Sequence, residues 1–254
     1  MTKFFLRRFL ILGVLSISGF ISFAQQFNVL LFTKTDGFHH ESIHEGVEAV
    51  RWLASRNNFR VDWHENASIF NDKGLEKYKV VIFLNTTGNI LNEEQQAAFE
   101  KFIKGGKGFV GIHSASDTEY DWPWYTKMVG MMFKIHPQQQ TAYLKVEDNK
   151  FPGMERFPAK LLWTDEWYQF GEPKSTDLHY LVSVDEKTYS PEVKWGENEG
   201  KGMGDFHPIS WYHDYDGGRA FYTALGHIGL TFSDQTFLDH IYGGIYWAAT
   251  GKGM

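Results

Sequence analysis

The sequence predicts an α/β domain built on a mostly parallel sheet with helices on both faces and extra strands in its second half. Three observations carry that reading. FNVLLFT at 27–33, KVVIFL at 79–84, GFVGI at 108–112 and RAFYTAL at 219–225 are nearly continuous apolar runs, the pattern of strands buried on both faces. Segments with helical spacing and helix-end signals separate the first of them. Strand, helix, strand alternation with short connections is the mark of right-handed βαβ units.

Each element has its own signal. The run at 27–33 is the first strand, and KTDGFHH at 34–40 is the loop at its carboxyl end. Ser42 with Glu45 three residues on has the form of a capping box, and Ile43, Val47, Val50 and Ala54 recur at helical spacing behind it. The first helix is therefore expected from about Ser42, leaving His39 and His40 outside. FRVDW at 59–63 alternates and reads as the second strand. The run at 79–84 is the third, ending in Asn85-Thr86-Thr87-Gly88. Asn92 with Gln95 caps a helix whose apolar face is Ala98, Phe99, Phe102 and Ile103, and Gly105-Gly106 stops it.

KGFVGIHSASD at 107–117 follows, a buried strand between glycines that ends abruptly at His113-Ser114-Ala115. That is the layout of a nucleophile elbow, with imidazole as the reactive group. From about 129 to 215 the pattern changes to short alternating segments at 140–146, 160–167, 180–184 and 208–213, read as antiparallel strands inserted in or flanking the sheet. The run at 219–225 returns to a buried strand and ends in Gly226-His227. Asp234 caps a last helix with Phe237, Leu238, Ile241, Ile245 and Ala248 on its inner side, closed by Gly251.

The amino terminus reads differently. Lys3, Arg7 and Arg8, an apolar run at 9–23 and Ser22-Phe23-Ala24 form a secretory signal peptide over 1–24, leaving 25–254 as one domain. The expected location is periplasmic or extracellular, with no membrane association once the signal is removed. Removing it leaves 22 basic against 31 acidic residues, an acidic balance without a basic cluster, which excludes nucleic acid and anionic lipid as partners. The chain has no cysteine, so a disulfide framework, a thiolate metal site and a thiol nucleophile are excluded together.

The functional signal is a coincidence of strand ends. His39 and His40 follow the first strand, Thr86 and Thr87 the third, His113 the next and His227 the last, so in a parallel sheet all lie along one rim, where open α/β sheets bind ligands. Imidazoles there can serve as acid and base or as ligands to a divalent metal such as zinc. Asp117, His136, Asp165 and Glu166 add polar groups from neighbouring loops. Trp122 and Trp124, beside acidic Asp121, are expected at the mouth of the same pocket as faces for a sugar ring. His40-Glu41-Ser42-Ile43-His44 matches H-E-x-x-H, but the helix start falls between its histidines, which a metalloprotease helix does not allow.

KTDGFHHESI, GIHSASD, FKIHP, TDEWY, PISWYHDYDGGRAFYTALGH and FLDHIYGGIYWAATG, in that order, resemble the ThuA-like, or trehalose-utilisation, family over nearly all of 25–254. The resemblance implies a three-layer flavodoxin-like fold related to class I glutamine amidotransferases, with His113 where those enzymes carry the elbow cysteine. Amidotransferase activity is thereby excluded. It further implies disaccharide or glycoside catabolism in company with sugar oxidoreductases, a small carbohydrate as ligand, and His40, His113, His136, Glu166 and His227 as site residues.

Two function classes follow. One is an enzyme cleaving a glycoside or 3-keto-glycoside, with His113 as base, Glu166 as acid, Asp117 as a further catalytic carboxylate and a divalent metal on His40 and His227. Thr86, Trp122, Trp124, His136 and Asp165 are then expected to bind substrate. The other is a non-catalytic sugar-binding accessory domain.

Overall fold

The computed structural model describes residues 25–253, so the signal-peptide reading of 1–24 lies outside the described residues. The parallel half of the chain runs β1 (Asn28–Phe32), α1 (Ile43–Asn57), β2 (Arg60–His64), a short α2 (Asp72–Leu75), β3 (Val80–Leu84), α3 (Glu93–Lys104) and β4 (Gly108–Ile112). α4 (Pro123–Val129) leads into β5 (Phe133–Ile135), β6 (Gln140–Val146), β7 (Lys160–Asp165), β8 (Gln169–Phe170) and β9 (His179–Val184). A hairpin of β10 (Glu192–Trp195) and β11 (Asn198–Lys201), then β12 (Pro208–Tyr215), β13 (Gly218–Thr223) and α5 (Gln235–Thr250), complete the described chain.

Nine strands form one sheet in the order β2-β1-β3-β4-β13-β12-β9-β6-β7, while β5 pairs with β8 and β10 with β11. The first five are mutually parallel. The remaining four join by antiparallel pairings, so the expected flanking strands extend the main sheet. Three antiparallel steps separate β12 from β7, and with the step from β13 to β12 they return β7 to the direction of β13. Its end at Asp165 therefore points to the same rim as the ends of β1, β3, β4 and β13. Laid flat, β13 and β7 would be four spacings apart, about 19 Å at roughly 4.8 Å each. Yet Asp165 Oδ2 accepts the Gly226 N–H at 3.0 Å. Coiling of the sheet, with the residues that follow β13, closes the gap.

The predicted helix signals act as follows. The Asn92–Gln95 box caps α3 with both reciprocal bonds, and Asp234 accepts the Thr236 and Phe237 N–H groups at the start of α5. Ser42 departs from its expected role. α1 starts where predicted, but the Ser42 hydroxyl makes no cap bond; it donates to the Gly226 carbonyl at 2.9 Å and accepts from Asn85 Nδ2 at 2.8 Å. The sequence motif is a cap, whereas the hydroxyl is spent tying the β1 and β3 loops to the turn after β13. His40 lies outside the helix and His44 is exposed on it, so the H-E-x-x-H histidines do not converge. No helix among the described residues is long and apolar enough to cross a membrane.

Candidate functional site

The site grows from three strand ends of the parallel half and one of the antiparallel half. β4 stops at Ile112, and His113 adopts φ +52°, a left-handed conformation uncommon for a side chain of its size and expected at a strained elbow. Its imidazole is fully buried. Nδ1 lies 2.7 Å from the Ala224 carbonyl, which can only accept, so Nδ1 carries the proton and Nε2 presents a lone pair. The Tyr168 hydroxyl donates to that nitrogen at 2.8 Å. Burial, reinforced by the neighbouring His40, pushes the His113 pKa well below its ordinary value, so the ring is neutral.

His227 follows Gly226, whose φ of +120° suits glycine alone. The turn is fixed from below: Asp165 accepts the N–H groups of Gly226 and His227 at 3.0 and 3.2 Å and that of Glu166 at 3.0 Å. Burial nevertheless pushes the Asp165 carboxyl up to about 6. Asp165 is thus committed to the backbone, while Glu166, the next residue, points the other way. Its Oε2 lies 3.0 Å from His227 Nδ1, 3.4 Å from His136 Nε2 and 3.7 Å from His113 Nε2. His227 Nδ1 is also 3.3 Å from His113 Nε2.

His40, at the end of the loop after β1, is buried with its ring edge-on to His113 and His227 at centroid distances of 4.8 and 5.3 Å. Ser114 Oγ is 3.3 Å from its Nδ1. Burial, with repulsion from His227, His136 and His39, holds its pKa down to about 3. His136 is anchored by its own Nδ1, which donates to the Pro137 carbonyl at 2.7 Å, and turns Nε2 toward Glu166.

One ligand atom each from His40, His113, Glu166 and His227 lies within 4.8 Å of the others. Around a tetrahedral ion with bonds of about 2.0–2.1 Å, ligand atoms sit roughly 3.4 Å apart. The three printed separations among His113, His227 and Glu166, at 3.0, 3.3 and 3.7 Å, bracket that value, and His40 is the member that must close in. Three imidazoles and a carboxylate can therefore hold a divalent metal ion.

The other predicted residues fall elsewhere. Trp122 and Trp124 stack on each other at 5.3 Å and pack on Phe99 of α3, with indole N–H groups donating to Glu100 and Asp216. They belong to the helical layer and do not face the histidines, because Pro123 opens α4 there and turns both rings onto α3. Thr86 is buried and shares a hydrogen bond with Thr118, so it serves the loop. Asp117 is half-buried, accepts from Tyr120 at 2.7 Å, and has its pKa raised by burial; it borders the site on the His136 side.

Sequence reasoning passed over Tyr168, which touches His113, and two exposed aromatics at the rim. Phe38 is edge-on to His40 at 4.8 Å, and Trp195 is edge-on to His136 at 4.7 Å. A groove of about 550 Å³ opens over His227, lined also by Phe38, His39, Glu41, Glu45 and Gln139.

The sequence model of the ThuA family, described as trehalose utilisation, matches residues 28–248. The chain belongs to the ThuA family. A ThuA-like protein from Bacteroides uniformis superposes with a TM-score of 0.72 at 24% identity, covering 87% of this chain and 91% of that one. One from Parabacteroides merdae gives 0.69 at 21%, covering 90% and 91%. The same fold forms part of a β-galactosidase from Bacillus circulans sp. alkalophilus, with a TM-score of 0.53 at 15% identity; the match covers 87% of this chain and 31% of that enzyme. Among curated proteins none matches the chain. For this ThuA-family chain the α/β fold with a mostly parallel central sheet is thus established by the family, by its relatives' structures and by its own strand order.

Proposed function

We propose that this ThuA-family protein is an exported enzyme of glycoside catabolism that cleaves a 3-keto-glycoside by elimination at a divalent-metal centre on His40, His113, His227 and Glu166. The observation that supports it is the convergence of one ligand atom each from His40, His113, Glu166 and His227 within 4.8 Å of one another, with no protein cation beside the carboxylate. His113 and His136 have each given Nδ1–H to a backbone carbonyl, so both turn Nε2 lone pairs toward the Glu166 carboxylate, that of His113 held by the Tyr168 hydroxyl and that of His136 bare. No lysine or arginine pairs with Glu166 among the described residues, and a carboxylate faced by the bare His136 nitrogen calls for a cation or a proton.

A bound zinc-class ion would supply Lewis acidity toward a ketone oxygen. The sequence-based assignment gave His113 and Glu166 to acid–base work. With both among the four converging ligand atoms, the base passes to His136, which is partly exposed and presents Nε2. In the reaction, His136 Nε2 takes the proton at C2, and the C–H electron pair enters the C2–C3 bond as the C3 ketone becomes an enolate. Collapse of the enolate restores the ketone, forms a C1–C2 double bond and breaks the bond from C1 to the leaving oxygen, which takes the proton that His136 Nε2 had accepted and so returns the base to its starting state. Tyr168, its pKa held well above the ordinary value by burial, stays a hydrogen-bond donor throughout. A sugar oxidoreductase acting at C3 must come first, and water adds to the product's double bond afterwards.

The test has two arms. Thermal melts of the 25–254 protein with zinc sulfate against chelator should show stabilisation of about 2.7 kcal/mol at a hundredfold excess over Kd, lost in His227→Ala. In deuterated water, the protein should cleave a 3-keto-glucoside and leave the parent glucoside intact, with deuterium at C2 of the rehydrated product. Comparable cleavage of the parent would sink the elimination reading, and no zinc response would sink the metal centre.

A further inference from the structure

The β10–β11 hairpin stands apart from the main sheet and half of its ten residues are charged, with Glu192, Lys194, Glu197, Glu199 and Lys201 all exposed. Among them it carries one tryptophan, Trp195, 44% exposed. The ring meets Phe133 of β5 at 6.2 Å on one side and His136 on another. Its indole N–H has no protein partner among the described residues, and its edge stands at 89° to the His136 ring, 4.7 Å away, leaving much of the indole surface open to solvent beside the site.

The hairpin is not loosely hung. Gln169, buried on β8 one residue after Tyr168, donates Nε2–H to the Pro191 carbonyl at 2.6 Å and accepts the Gly202 N–H on Oε1 at 2.9 Å. One side chain thus ties both ends of the hairpin. Gly200 lets it sit close: a Cβ there would lie 2.5 Å from Gln169 Oε1 and 2.7 Å from Ile135 Cγ2. Glu186 completes the seat by accepting the Met203 and Gly204 N–H groups and pairing with His207 Nδ1 at 2.7 Å. His207 in turn reaches the Tyr168 carbonyl through Nε2 at 2.8 Å.

From this we infer that Trp195 is a substrate-positioning residue, a platform on which the C–H face of a neutral sugar ring lies while its reacting carbons stand over His136 and Glu166. This deepens the proposed function and rests on its carbohydrate reading. Neutrality follows from the acidic groups around the histidines: Glu41 and Glu45 line the groove over His227 without a lysine or arginine in its lining, and Glu166 lies against His136, so a uronate or sugar phosphate is repelled. An aromatic face gains from dispersion and C–H contact with a pyranose, and a site tryptophan is commonly among the residues that cost most to truncate.

Calorimetric titration of the 25–254 protein with trehalose, cellobiose and methyl β-D-glucuronide tests it by binding alone. At least one neutral sugar is expected to bind the wild type and the glucuronide to bind more weakly. Trp195→Ala should weaken the neutral sugar by about tenfold, while Trp195→Phe stays within about threefold. The zinc response of Trp195→Ala should equal that of wild type, since the indole touches no metal-binding group other than through His136. Equal affinity in Trp195→Ala overturns the platform, and so does a wild type that binds neither neutral sugar. Unchanged sugar affinity in Gln169→Ala overturns the claim that the glutamine sets its position. A missing zinc response with the Trp195 difference intact overturns the metal centre and leaves the platform standing.

Discussion

His240 gives the protein a measurable acid sensitivity. It lies on the inner side of α5, fully buried among the rings of Phe157, Phe221 and Phe237. Nε2 is 3.0 Å from Ser210 Oγ, whose own hydrogen goes to the Tyr222 carbonyl, so Nε2–H donates to the serine. Nδ1 faces the Met154 sulfur at 3.1 Å, a weak acceptor for a second proton. Burial accordingly lowers the pKa from 6.5 to about 3. Between those values the unfolded chain binds a proton that the folded one refuses, so stability falls as pH drops below about 6.5, by roughly 1.4 kcal/mol per unit, until the folded ring titrates. His240→Gln keeps a donor for Ser210 and cannot titrate. Urea unfolding at pH 7, 6 and 5 should show wild type losing about 2 kcal/mol more than the variant between pH 7 and pH 5. His40 and His113, also depressed, act equally in both proteins and cancel from the difference. Parallel stability–pH curves would refute the reasoning.

Three further outcomes are expected. His113→Ala should lose the zinc response while remaining folded, at a cost of about 1–3 kcal/mol by urea melt, because the Ala224 carbonyl and the Tyr168 hydroxyl both lose a partner; an unfolded variant would make His113 a structural residue. Gly243→Ala should destabilise by about 3 kcal/mol or more, seen as a fall in Tm, because its Cβ would lie 1.8 Å from the Pro152 carbonyl oxygen; a normal melt would mean the 151–154 turn yields easily. Ser42→Ala should cost about 1–2 kcal/mol and Ser42→Asp, a good helix cap, should be worse, because the hydroxyl serves the Gly226 carbonyl; rescue by aspartate would restore the capping-box interpretation.

The parallel half and its rim were legible because burial on both faces leaves continuous apolar runs, and because a parallel sheet places every following loop on one side. That argument located His40, His113 and His227 from strand ends alone. It could not divide Asp165 from Glu166: neighbours in a chain diverge only when the backbone they serve is known, and here Asp165 is drawn to the Gly226 turn. Trp122 and Trp124 misled for a related reason. Aromatic rings next to an acidic residue look alike whether they face a ligand or a helix, and docking of α4 on Phe99 decides it. Trp195 was invisible because its significance lies in where Gln169 ties a charged hairpin, a long-range bond with no local trace. Tyr168 had a signal, its place in TDEWY two residues after Glu166, and its contact with His113 gives that signal a physical meaning.

The return of β7 to the rim has a kinetic meaning. His40, His113 and the strand before His227 belong to the parallel half, whereas Glu166 reaches them through β12, β9, β6 and β7. Along the chain the histidines make the wider closures, 187 residues for His40 with His227 and 114 for His113 with His227, against 53 and 61 for Glu166 with His113 and His227, so assembling the cluster is a non-local event that slows folding. In a refolding experiment, recovery of the proposed zinc response should trail recovery of far-ultraviolet ellipticity.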